Sequence, residues 1–362
     1  MWFDTTNGYM EKIKMKSQRT ILNDVMIMRP IVIFLLIVTH SFTMYTGGSW
    51  SLPEGINEVY AYGEIAHIAF SFMLETFVFI SGYLFAMQQQ RQQKPFTFFL
   101  LKKLQRLVVP GIIFSTAYIA CFDSEIFKSG GVILEILNGT GHLWFLPMLF
   151  CCFIMAYGIN TIKGHDNFKF ALCFIMSLCS GLLPLSVFRI NSACYYILFF
   201  YLGMYLYPRR QKIIAKLNLL NVMAFIVLFV VSYIFFSHEK QILSESEMST
   251  IMGKLLRVLG MKMCTMVYSS MGLVMIYVIS NYIIKCKNKW QCPLWLISIN
   301  SICFGVYIYQ QFILKFIYYS TPLPQWTGTY FLPWVGCVIT MITSIALAKL
   351  TTKSKIGRKL IK

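Results

Sequence analysis

Two side chains that lipid disfavours, Arg29 and His40, interrupt the apolar run MIMRPIVIFLLIVTHSF. In a helix they stand eleven positions apart, three turns plus about 20°, so both project from one face, about 16 Å apart. Ionisable groups at bilayer depth cost a few kcal/mol on insertion scales, which makes them pointers to a site. An imidazole with one nitrogen held and the other free can take a proton from a hydroxyl near neutral pH. A second run, AHIAFSFMLETFVFISGYLFAM, carries Glu75 near its centre, with Gly82 seven positions on and therefore on the same face. A carboxylate at that depth protonates or finds a partner, and His40 is the natural candidate. Spacing leaves the contact itself open. The stretch KPFTFFLLKKLQRLVVP sets Lys102, Lys103 and Arg106 within little more than one turn. Lys103 and Arg106 face the same way and suit phosphate groups, though such a cluster also marks a membrane boundary. His142 and Trp144 in GHLWFLPMLF stand where another apolar run begins, at the depth that anchors aromatic rings.

These residues need elements to hold them. Of 362 residues 57% are hydrophobic and 13% charged, about half the charged share of a soluble domain. Mean hydropathy is +0.63. The bilayer must therefore act as solvent. About 20 apolar residues span it, and ten candidates emerge, roughly 26–46, 65–87, 107–122, 143–162, 168–187, 193–208, 218–237, 261–284, 294–317 and 329–350. The short third one extends an amphipathic stretch over 96–106. The outer loop over 238–260 could form a surface helix. The expected fold is all-α, a polytopic bundle of about ten transmembrane helices, with no internal repeat and no soluble domain. Residues 1–25 would form a cytoplasmic N-terminal segment, 26–350 a single membrane domain and 351–362 a basic cytoplasmic tail. No cleavable leader is evident.

The net charge of +18 would suggest nucleic acid in a soluble protein. Here most Lys and Arg lie in alternate short segments, while Glu54, Glu58, Glu64, Asp123, Glu125 and Glu135 lie in the others. That alternation places both termini in the cytoplasm and directs the charge at anionic lipid head groups, with no nucleic-acid partner. Eleven cysteines include no CxxC pair and no zinc-type Cys/His cluster. They read as small hydrophobes in packed helices, and no metal is expected.

At these residues the chain resembles the integral-membrane acyltransferase-3 family, which includes bacterial O-acetyltransferases of surface polysaccharides. The Arg29–His40 spacing is the most telling match. FVFISGYLF at 77–85, KKLQRLVVP at 102–110, HLWFL at 142–146 and SICFGVYIYQQFIL at 301–314 are similar to further family segments in the same order. Two departures exist: Lys103 stands where arginine is common, and Gln310 where a histidine often stands. The resemblance implies transfer of an acyl group, usually acetyl from acetyl-CoA, to a hydroxyl of a cell-surface or lipid-linked saccharide, in the plasma (inner) membrane. It makes His40 the essential histidine, Arg29 its paired arginine, and Lys103 with Arg106 the second basic pair. Arg29, Lys103 and Arg106 would then hold acyl-CoA, and His40, assisted by Glu75, would take the hydroxyl proton. Ser81, His142, Trp144 and Gln310 are candidates for substrate contact or oxyanion stabilisation. The rival reading is a transporter or flippase of a lipid-linked or polymeric saccharide, using the same polar residues to line a path. A non-catalytic scaffold would need no midplane histidine.

Overall fold

The computed structural model describes residues 23–48, 50–91, 95–128, 130–184, 187–246, 250–286 and 292–361. Among them are ten principal helices: α1 Asn23–Phe42, α2 Tyr60–Arg91, α3 Phe96–Phe122, α4 Phe145–Thr161, α5 Asp166–Cys179, α6 Ile190–Leu206, α7 Leu219–Glu245, α8 Ile251–Cys286, α9 Leu294–Tyr319 and α10 Leu323–Lys353. A short helix, α11, follows at Lys355–Ile361. Nine segments of the described chain are long and apolar enough to cross a membrane. The fold is a polytopic helical bundle, and so many apolar helices make it a multi-pass membrane protein.

The expected span over 168–187 is the exception. Its helix, α5, has only 14 residues, too few for about 30 Å of hydrocarbon. Gly181 and Pro184 follow it, and a proline lacks the N–H that would continue the helix. The chain there runs antiparallel to α6. Asp166, opening α5, pairs with Arg209 beyond the end of α6 at 2.9 Å. Ser177, near the other end of α5, donates to the carbonyl of Tyr195, inside α6, at 2.6 Å. Arg189 Nε donates to the carbonyl of Asn138, just before the turn leading into α4, at 3.3 Å. The short helix α5 and the 3-10 turn Ser180–Leu182 thus stand where a full span was expected, and nine long apolar segments remain among the described residues. Hydropathy marked an apolar segment there, but not a helix long enough to span.

Two other expectations shift. The polar stretch after 238 does not form a separate surface helix: α7 runs on to Glu245 and α8 begins at Ile251, so polarity marked the membrane edge rather than the helix end. The basic stretch 351–362 is not a free tail: α11 folds back onto the bundle and Ile361 is fully buried. Of the N-terminal segment 1–25, residues 1–22 lie outside the described residues.

Packing puts α2 at the centre, with 72% of its apolar window buried, and α7 at the periphery with 17%. Helix α2 packs on α1, α6 and α8. Gly82 is there because a Cβ would overlap the carbonyl of Phe200 on α6, and Gly203 of α6 abuts the α2 backbone in return. Small residues allow such close helix approach in membranes.

Prolines inside the helices create further ties. Pro30 leaves the Met26 carbonyl without its intrahelical donor, and Asn300 Nδ2 on α9 supplies one at 2.8 Å. Pro333 does the same to Thr329, whose carbonyl accepts from the Tyr45 hydroxyl at 2.8 Å. Pro110 withholds a donor from the Arg106 carbonyl, and there the helix widens. Residues Leu104–Val108 form a π-helical turn in which the Val109 N–H reaches back to the Leu104 carbonyl. Single π turns inside α-helices are often found at functional sites. At Pro30 and Pro333 a neighbouring side chain re-satisfies the freed carbonyl, as lipid requires.

Candidate functional site

One face of α2, built from Leu74, Phe77, Ser81, Leu84, Phe85 and Gln88, lines a cavity of about 370 Å³. Arg29 of α1, Lys103 and Arg106 of α3, Phe145 and Phe153 of α4 and Tyr307 of α9 complete its wall. The exposed Gln88, Arg106 and Ser301 place its mouth at the basic end of the bundle. Ile361 of α11 also lines it. Lys103 Nζ sits 3.5 Å from the centroid of the Phe153 ring, a cation held by an aromatic face. Among the described residues, Arg29, Lys103 and Arg106 form no ion pair. Three cations facing one cavity without carboxylates are a standing demand for an anion. The rest of the wall is largely apolar and aromatic, as small-molecule sites usually are.

Beyond the wall lies a histidine pair. Tyr307 donates its hydroxyl to the His142 carbonyl at 2.7 Å. His142 belongs to the 3-10 turn Gly141–Trp144. Its backbone N–H donates to Gln311 Oε1 at 2.9 Å, its Nδ1 lies 2.7 Å from the same oxygen, and its Nε2 lies 3.0 Å from the Ile308 carbonyl. Gly141 makes that approach possible: its φ is +56°, and a Cβ there would lie 2.7 Å from Gln311 Oε1. The His142 ring stands 6.1 Å from the His40 ring, edge to face. His40 Nδ1 lies 2.9 Å from Gln310 Oε1. An amide oxygen only accepts, so that contact puts the proton on Nδ1 and the lone pair on Nε2. His40 Nε2 makes no hydrogen bond among the described residues. His142 has both nitrogens engaged; His40 has one free.

The family model described as an acyltransferase domain matches residues 22–352, most of the chain. The chain belongs to the acyltransferase-3 family. No curated protein and no solved structure matches it. Within this acyltransferase the matched segments occupy one neighbourhood. Arg29, Ser81, Lys103 and Arg106 line the cavity, and His40, His142 and Gln310 form the layer behind Tyr307. Ser81 donates to the Phe77 carbonyl at 3.0 Å. Trp144 turns away from the cavity towards Tyr196, with ring centroids 6.2 Å apart.

Glu75 is the correction. It shares a face with Gly82 as its spacing requires, but that face of α2 packs on α6. The carboxylate accepts from the Tyr195 hydroxyl at 3.3 Å, and Gln310 fills the place beside His40 that Glu75 was expected to hold. Helix phase is the reason: Leu74, Phe77 and Ser81 turn to the cavity, and Glu75 lies about 130° from their mean direction. Sequence reasoning also missed Tyr307, Gln311 and Asn300. The tandem amides Gln310–Gln311 were a usable signal, because two neighbouring polar residues in an apolar helix point to different partners and both need one.

Proposed function

We propose that this acyltransferase moves an acetyl group from acetyl-CoA to a hydroxyl of a cell-surface or lipid-linked saccharide, in the plasma membrane, with its basic end in the cytoplasm. The observation that carries the reading is the cavity with three uncompensated cations at its basic end and a singly held histidine behind its far wall. Arg29, Lys103 and Arg106 bind the coenzyme's phosphates by charge-assisted hydrogen bonds. The apolar walls take the slender pantetheine arm, which directs the thioester towards Tyr307.

His40 is the base. Its Nε2 removes the proton of the saccharide hydroxyl as the oxygen attacks the thioester carbonyl. The new C–O bond forms, the C–S bond breaks, and the coenzyme thiolate leaves and takes up that proton. The Nδ1–H to Gln310 holds the imidazole in the required tautomer, the role first expected of Glu75. Gln310 Nε2, buried and without a hydrogen bond, supplies an N–H to the carbonyl oxygen as it becomes negative.

The cellular test compares the surface glycan of cells with and without the gene by proton NMR. We expect an O-acetyl signal to disappear on deletion and to return with the intact gene but not with His40→Ala. A glycan that keeps the same acyl groups after deletion refutes the reading.

A further inference from the structure

The side of α2 turned away from the cavity holds a second polar cluster that the donor chemistry does not use. Glu75 is 4% exposed, and its Oε2 has no hydrogen-bond partner among the described residues. Its other oxygen receives the Tyr195 hydroxyl at 3.3 Å. Beside Tyr195 stands Tyr196, with ring centroids 4.9 Å apart, and Tyr196 faces Trp144. Lys262 of α8 holds its ammonium 4.7 Å from the Tyr195 ring centroid. Lys240 of α7 reaches the hydroxyl of Tyr268 at 3.5 Å. Neither lysine forms an ion pair among the described residues.

We propose that this cluster, between α2, α6, α7 and α8, is a binding site for an anionic saccharide, and we rest it on the transfer reading, in which it holds the acceptor. The chemistry is complementary part by part. Vicinal hydroxyls satisfy an unpartnered carboxylate oxygen, which can only accept from a neutral donor or a cation. The C–H faces of a pyranose pack on the rings of Trp144 and Tyr196. The two lysines take negative charge carried by the same ligand, either a phosphate that links the sugar to a lipid or a uronate within the glycan.

Position supports the assignment. Trp144 belongs to the same four-residue turn as His142, so one turn faces the cluster on one side and the pair of histidines on the other. The 3-10 turn Ser180–Leu182 after α5 lies against Lys262: a Cβ on Gly181 would lie 3.5 Å from Lys262 Cε.

The test is equilibrium binding to the purified full chain in micelles with three probes: a hexosamine linked to polyprenyl diphosphate, a uronic-acid oligosaccharide, and a neutral oligosaccharide of equal length. Acetyl-CoA binding is measured alongside. We expect at least one anionic probe to bind tenfold or more tighter than the neutral one, and the preferred probe identifies the source of the charge. Lys262→Ala and Glu75→Gln should each weaken that probe at least tenfold and leave the acetyl-CoA Kd unchanged. Tyr195→Phe, which removes a single hydroxyl, should weaken it several-fold and decides the matter if the other variants fail to fold. Equal affinity for charged and neutral probes, or affinity untouched in folded variants, overturns the site. A wild type that transfers label from acetyl-CoA yet prefers no anionic probe also overturns it. A wild type that selects an anionic probe but transfers no label refutes the transfer reading and leaves the site standing.

Discussion

At the scale of single residues, the division of labour between two histidines rests on their hydrogen bonds. His142 is fixed by three contacts to α9; His40 is fixed by one. A base needs a free nitrogen, so His40→Ala should lower turnover by about 10²–10⁴-fold, the usual worth of a general base, without weakening acetyl-CoA. Gln310→Leu removes both the tautomer-fixing oxygen and the spare donor. It should lower kcat with little change in KM, measured by steady-state kinetics, whereas Gln310→Glu should recover part of the loss. The cations behave differently. Lys103→Ala and Arg106→Ala should raise the acetyl-CoA Kd, measured by calorimetry, and the affinity of the wild type should fall as salt is raised. Unchanged affinity in both variants would make them boundary markers only. Arg29, His40 and the basic pair were legible because ionisable groups in apolar runs are conspicuous. The contact of Gln310 with His40 was not, since an amide carries no charge and sequence alone does not say which face of α9 meets α1.

At the scale of elements, prolines and small residues decide where the site stands. The Asn300 amide repairs the gap that Pro30 opens in α1 and simultaneously lines the cavity. Asn300→Ala should therefore destabilise the protein by about 1–3 kcal/mol, the penalty for leaving a buried carbonyl unpartnered, seen as a lower melting temperature in detergent. Double replacement of Pro30 and Asn300 by alanine should be milder than Asn300→Ala alone, because the ordinary helical bond can re-form. The nine long apolar segments could be read from apolar length, and α3 from its amphipathic start. The interruption after α5 could not, because Leu182, Leu183, Leu185 and Val187 keep the run apolar while Gly181 and Pro184 end the helix. Nor could the contact of Glu75: periodicity places it on the face of Gly82, but which neighbour that face meets depends on the close approach of α2 and α6 at Gly82 and Gly203.

At the scale of the whole molecule, α2 stands between a basic cavity and a second cluster of buried polar side chains. The three cations lie at the basic end, the Glu75 cluster lies on the far side of α2, and the turn Gly141–Trp144 stands between them. Helix α11 closes part of the cavity wall with Ile361, so a chain ending at residue 354 should show faster acetyl-CoA exchange in stopped-flow measurements. The central claim is that the acyl group passes from a coenzyme thioester to a saccharide hydroxyl at His40. The most direct measurement supplies radiolabelled acetyl-CoA and a lipid-linked glycan to the purified protein and follows label in a single turnover. The account predicts labelled glycan with the wild type, and with His40→Ala normal acetyl-CoA binding but no labelled glycan. Equal labelling by His40→Ala, or acetyl-CoA that never passes its label to any glycan, would contradict it.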